Sequence, residues 1–102
     1  MRLVEALLAE LLELSEKGTS FASTEFPVDT GLGDGDSVEW VASTFADELM
    51  HNIYHVSDEN GDDYISSSHG DGGVVVFYDG PWATLQEAEA AFGDVVEGWL
   101  RN

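Results

Sequence analysis

The chain has no cysteine and only three basic side chains, and both shortages restrict what it can do. Without cysteine it can form no disulfide and has no thiolate nucleophile, so a zinc site would need histidine and carboxylate ligands. Arg2, Lys17 and Arg101 lie near the two ends, and the 83 positions from Gly18 to Leu100 contain no lysine or arginine. Such a chain is unsuited to binding nucleic acid or an anionic membrane surface directly.

Long apolar runs are also missing. No stretch reaches the roughly 18 apolar residues of a membrane-spanning helix. Glu5, Glu10 and Glu13 interrupt the one candidate targeting segment, residues 1–17. We therefore expect a cytoplasmic protein without a membrane partner. Its 102 residues are 43% hydrophobic and 11% aromatic, which predicts a single folded domain spanning 1–102.

Carboxylates dominate the remaining composition. There are 21 of them, the formal net charge is −18, and 17 lie in the segment that has no basic residue. Two carboxylates about 6 Å apart repel each other by roughly 0.7 kcal/mol in water. Retaining so many of them indicates either a very salty solvent or a cationic partner.

Helical patterns occupy both ends of the chain. Apolar residues at helical spacing predict an amphipathic helix over 3–17, with Gly18 just beyond its C-terminus. A second helix is predicted over 85–100, where Thr84 and Glu87 have the spacing of a capping box.

The segment 37–54 permits two interpretations. Apolar residues from Val38 to Ile53 follow a helical stripe, and Asp36 with Glu39 resembles a capping box, so we expect a third helix at about 37–54. The alternative is a hairpin with strands near 38–45 and 49–57, which the β-branched and aromatic residues would suit.

Strand signals fill the centre of the chain. Segments 54–57 and 64–68 read as hairpin arms around Asn60-Gly61, and the apolar run from Val74 to Tyr78 predicts a central strand. The expected fold is therefore α+β, with a small antiparallel sheet packed against the N-terminal and C-terminal amphipathic helices.

Several short motifs suggest chemistry without completing it. Asp29-Thr30-Gly31 resembles the active-site loop of retroviral-type aspartic proteases, but glycine-rich loop residues follow it. The segment from Asp58 resembles the start of a calcium loop, but His69 occupies the position of the bidentate glutamate. His51 and His55 would share one helix face, and serines 66–68 lie next to His69 and Asp71. We interpret all four as structural, and expect no enzyme activity, metal or cofactor.

The carboxylates suggest instead a protein that imitates nucleic acid. Negative charges at helical and loop spacings could occupy a groove that normally binds DNA phosphates. Trp40, which lies off the helical stripe, is the candidate aromatic anchor. The predicted acidic partner-binding residues are Glu5, Glu13, Glu16, Asp58, Glu59, Asp62, Asp63, Asp71, Glu87, Asp94 and Glu97.

In size, charge and lack of cysteine, the chain resembles small phage-encoded inhibitors of bacterial defence, the anti-CRISPR and anti-restriction proteins. The resemblance implies action in the host bacterial cytoplasm against a basic nucleic-acid-binding partner, foremost a CRISPR effector, whose DNA entry would be blocked. We expect a monomer. Two alternatives use the same composition: a halophile-adapted binding domain, and an immunity protein or antitoxin that neutralises a basic nuclease.

Overall fold

In the computed structural model, which describes residues 2–21, 26, 32–93 and 99–101, an antiparallel sheet has a helix on each face. The sheet order is β4-β3-β2-β1-β5. The predicted α+β class is confirmed. The elements in chain order are α1 (Leu3–Lys17), β1 (Ser37–Ala46), β2 (Leu49–Asp58), β3 (Gly61–His69), β4 (Val75–Trp82), α2 (Leu85–Ala90) and β5 (Leu100–Arg101).

Helix α1 matches the prediction at both ends. Gly18 adopts a left-handed conformation with φ of 65°. Its N–H donates to Ser15 and the Thr19 N–H donates to Leu14, the paired bonds of a Schellman motif. At the other end no side chain of the helix caps it, and Asp58 accepts the Leu3 N–H at 3.0 Å instead. The helix is therefore fixed to the sheet at its N-terminus by a residue distant in sequence.

The predicted third helix is wrong, and the hairpin alternative is correct. Strands β1 and β2 pair across a turn at Asp47 and Glu48, both of which have positive φ. Two such residues suit a tight hairpin turn, but asparagine and glycine, which usually signal it, are missing. The pairing shifts by one residue between Trp40 and Ala42. That bulge reverses which side chains face each side of the sheet. The apolar residues of β1 are therefore not spaced every second position throughout, and their pattern resembles helical spacing.

The predicted hairpin in this region is confirmed and is longer than expected, but its turn lies one residue before Asn60-Gly61. Strands β2 and β3 pair from Met50↔His69 to Asp58↔Gly61, and Glu59 and Asn60 form the turn.

Strand β4 is an edge strand and not the predicted central one. Among the strands of the described residues it pairs with β3 alone, and it continues through Gly80 and Pro81 to Trp82. Proline has no N–H to donate, so it is tolerated where one side of a strand has no partner. The apolar run that suggested burial contains Phe77, which is 62% exposed.

The C-terminal helix is shorter than predicted. Thr84 caps α2 by accepting the Glu87 N–H at 3.1 Å, and the Glu87 carboxylate accepts the Ala83 N–H at 3.0 Å. The helix ends at Ala90, and Gly93 has a left-handed φ of 68°, which does not continue a helix. β5 pairs with β1, so the predicted helix over 85–100 does not reach residue 100; residues 94–98 lie outside the described residues.

Each face of the sheet has its own core. On the face covered by α1, Leu11 packs with Tyr54 and Ile65 in a cluster that includes Phe21 and Phe26. On the face covered by α2, Ala88 packs on Ala42 and Ile53, with half-buried aromatic residues around them. We refer to these as the α1 face and the α2 face.

Candidate functional site

The basic side chains are all engaged within the protein. Arg2 pairs with Asp58 and Asp63 at 3.3 and 2.6 Å, Lys17 pairs with Glu13 at 2.5 Å, and Arg101 pairs with Glu89. The three positive charges therefore pair with four carboxylates and offset three of their negative charges, while most of the other carboxylates in the described part of the chain lie on the surface.

Three of the predicted partner-binding carboxylates belong to these pairs. Asp58 also accepts the backbone N–H groups of Leu3 and Asn60 at 3.0 and 2.9 Å. These bonds, first of all the one from Leu3, hold the pKa of Asp58 below its ordinary value. The Lys17 ammonium likewise lowers the pKa of Glu13. Asp58 and Asp63 thus hold Arg2 and the start of α1, and Glu13 pairs with Lys17 on the surface of the same helix.

The remaining predicted carboxylates that the structure describes are exposed and widely separated. Glu5 and Glu16 lie about 20° apart around α1 and about 16 Å apart along it, since each residue advances about 100° and 1.5 Å. Asp71 lies beyond β3, at the opposite end of the sheet from Glu59 and the β2–β3 turn. Asp62 borders that turn and contacts His55, and Glu87 lies on α2. Asp94 and Glu97 are outside the described residues.

The predicted aromatic anchor has a different environment from the one expected. Trp40 is half-buried and packs against the core of the α1 face. The exposed aromatic side chains are Phe45 and Phe77, at 68% and 62%.

On the α1 face, Ser67 is part of a buried chain of hydrogen-bonded polar groups. Ser67 Oγ lies 2.7 Å from His69 Nε2 and 3.3 Å from Tyr54 Oη, and His69 Nδ1 lies 3.0 Å from the Gly73 carbonyl oxygen. A carbonyl only accepts, so Nδ1 carries the proton and Nε2 accepts from Ser67. Burial lowers the pKa of His69, in keeping with a neutral ring.

On the α2 face, Ser68 makes the corresponding bond to a different histidine. Its Oγ lies 2.6 Å from His51 Nδ1, because the two residues are cross-strand partners in β3 and β2. Burial lowers the pKa of His51, with smaller opposing effects from the Ala46 carbonyl and the Asp47 charge. The serines and histidine noted in sequence therefore do not form one constellation.

The His51–Ser68 pair lines a pocket of about 360 Å³ that we call the α2 pocket. Strands β2, β3 and β4, the β1–β2 turn and the residues at the end of α2 form it. Its volume is within the range of small-ligand sites. The lining includes the polar residues His51, Ser66 and Ser68, the carboxylates Asp47 and Asp79, and the aromatic residues Phe77, Tyr78, Trp82 and Phe92.

The sequence does not predict that these residues line one pocket. Ser66 and Ser68 pair with Asp79 and Phe77, so all four share the α2 face, as their alternate positions in two strands allow. That alternation is visible in the sequence. The register between β3 and β4, and the position of Phe92 over them, are not.

The motifs that resembled metal sites do not have the geometry of metal sites. His51 and His55 are four residues apart on a strand, so their Cα atoms are about 13 Å apart, whereas a helix would bring them together. Asp58 and Asp62 flank a hairpin turn. Within the part of the chain that the structure describes, no group of three or more histidine or acidic residues could hold a metal ion. The Asp29-Thr30-Gly31 motif lies outside the described residues.

Comparison with protein-family models, curated proteins and solved structures found no significant match. Neither helix in the described ranges is long and apolar enough to cross a membrane.

Proposed function

We propose that this protein is an acidic, non-catalytic inhibitor that occupies the basic nucleic-acid-binding groove of another protein and so blocks DNA binding. The resemblance noted above makes a CRISPR effector in the bacterial cytoplasm the first partner to test. The mechanism is steric and electrostatic competition without a cofactor, and release of counterions would make binding strongly dependent on salt.

The observation that carries this proposal is that the surface charge is almost entirely negative. Each of the three basic residues is used in an internal ion pair, with Asp58 and Asp63, with Glu13, or with Glu89. With a formal net charge of −18, the field attracts cationic surfaces and repels nucleic acid and anionic lipids.

The burial of the serine hydroxyls supports a non-catalytic function. Ser67 and Ser68 are 0% and 2% exposed, although each lies within hydrogen-bond distance of a histidine. A nucleophile must approach its substrate carbon to about 3–3.5 Å, and a serine this enclosed offers little access. We therefore assign these pairs to the stability of the sheet.

The test is competition for DNA. CRISPR surveillance complexes and basic nuclease toxins are incubated with labelled DNA and increasing amounts of the protein, at low and high salt. We expect loss of DNA binding by one of these targets at low salt, reversed by excess DNA and by high salt. An unchanged DNA affinity across the panel, or a captured complex that DNA does not displace, would refute the proposal.

The placement of the carboxylates favours a second candidate, a halophile-adapted domain. Exposed acidic residues lie on α1, on α2 and near both ends of the sheet, including Glu5, Asp71 and Glu87. Adaptation to salt is expected to spread charge in this way, whereas a DNA mimic should concentrate it. Circular dichroism in dilute buffer separates the two: unfolding without molar salt supports salt adaptation, and a stable fold supports the inhibitor.

A further inference from the structure

We propose that the α2 pocket binds a guanidinium group, presented as an arginine side chain by the basic partner. This inference rests on the proposed function for the source of the arginine. The choice of a guanidinium rests on the residues that line the pocket.

The charge of the pocket favours a cation. Two exposed carboxylates line the pocket: Asp47, from the β1–β2 turn, and Asp79, from the edge strand β4. The Asp79 carboxylate accepts the Gly80 N–H at 2.8 Å, which limits its rotation. No lysine or arginine is among the described residues that line the pocket. Two carboxylates that line one pocket attract a cation placed between them.

The aromatic walls favour the same ligand. Phe77 is 62% exposed on the rim, and Trp82 and Phe92 are half-buried within the lining. A cation over an aromatic face is attracted by the ring quadrupole, and a planar guanidinium can also stack on it. An exposed phenylalanine beside carboxylates has no role in the core of this fold, but it would be covered by such a ligand.

The donors of guanidinium match the acceptors available. Arginine presents five N–H donors in a planar fork, whereas lysine presents three on a compact ammonium. The carboxylates of Asp47 and Asp79 are exposed acceptors from two different elements of the pocket. The neutral His51 ring, engaged with Ser68, adds no positive charge to oppose the ligand. The geometry therefore prefers arginine to lysine.

The probe for this inference is acetyl-arginine-amide, titrated into the isotope-labelled protein and followed by NMR. We expect saturable shifts at Ser68, Phe77 and the Trp82 indole, and none with acetyl-citrulline-amide, which has a similar shape but no charge. The double variant Asp47→Asn/Asp79→Asn should weaken the affinity by about tenfold or more. The variant Phe77→Ala, at an exposed position, should weaken it without disturbing the fold.

The matched control is Asp34→Asn/Glu39→Gln, which removes the same charge from exposed positions outside the pocket and should retain the affinity. Equal weakening by this control, equal binding of citrulline, or tighter binding of acetyl-lysine-amide would each overturn the inference. If the arginine probe fails while the protein still displaces DNA from a target, only the pocket assignment is refuted. If the probe binds and no target loses DNA, only the inhibitor function is refuted.

Discussion

The conformation of segment 37–54 gives the sharpest test of the fold, because two of its apolar residues differ in burial. Both Phe45 and Ile53 belong to the helical stripe that the sequence suggests. In the structure Ile53 is 0% exposed beneath α2, and Phe45 is 68% exposed. A helix that buried this stripe would make both residues costly to truncate, whereas the hairpin makes only one of them so.

The expected effect of Ile53→Ala is a loss of about 2–5 kcal/mol of unfolding free energy, because a cavity would remain beneath Ala88. That loss is a large part of the roughly 5–15 kcal/mol typical of a domain. It corresponds to a fall in Tm of about 4–8 °C for each kcal/mol. Phe45→Ala should change stability by no more than about 0.5 kcal/mol.

The assay is urea unfolding followed by circular dichroism, with all variants at the same salt concentration because the net charge is −18. An unchanged m-value with a shifted midpoint would show that the native fold is retained and only its stability has changed. The graded variant Ile53→Val should lose only about 0.5–1.5 kcal/mol. A loss for Phe45→Ala comparable with that for Ile53→Ala would refute the assigned hairpin.

Three further predictions follow from particular contacts. Ser67→Ala removes the donor to His69 Nε2 and should cost about 1–3 kcal/mol in urea unfolding; a neutral result would contradict the buried chain. Gly18→Ala places an L-residue at φ of 65° with open space around it, so thermal unfolding should report about 1–2 kcal/mol of strain and no clash. His51 and His69 have folded pKa values below their unfolded value near 6.5. At pH values between the folded and the unfolded pKa, the unfolded state therefore binds more protons than the folded state. Stability should therefore fall as pH decreases below about 6.5, and a urea midpoint that stays constant or rises from about pH 7.5 to about 5.5 would contradict the neutral buried rings.

Local signals predicted the elements that local interactions determine. Gly18 ends α1 and Thr84 caps α2, since capping involves residues only a few positions apart. Asn60-Gly61 marked a hairpin for the same reason. The β1–β2 turn contains Asp47 and Glu48, two residue types that do not usually indicate positive φ. The bulge at Val41 also interrupts the alternation that would have predicted strand β1.

The candidate site was less predictable than the fold. The sequence singled out Asp58 and Asp63 for a partner, but the chain uses them to hold Arg2 and the start of α1. It placed Ser68 beside His69, whereas alternation along β3 turns Ser68 to the other face and toward His51. Which groups meet depends on strand register, which brings together residues distant in sequence.

The sequence alone determined the electrostatic character of this protein, because composition fixes the net charge of −18 whatever the fold. It also determined the N-terminal helix and the start of the second, through apolar periodicity and caps. Tertiary structure decided that 37–54 is extended, that β4 lies at the edge, and that Asp47, Asp79 and Phe77 surround one pocket. Sheet pairing and the covering of both faces are contacts between distant segments, and no local pattern specifies them.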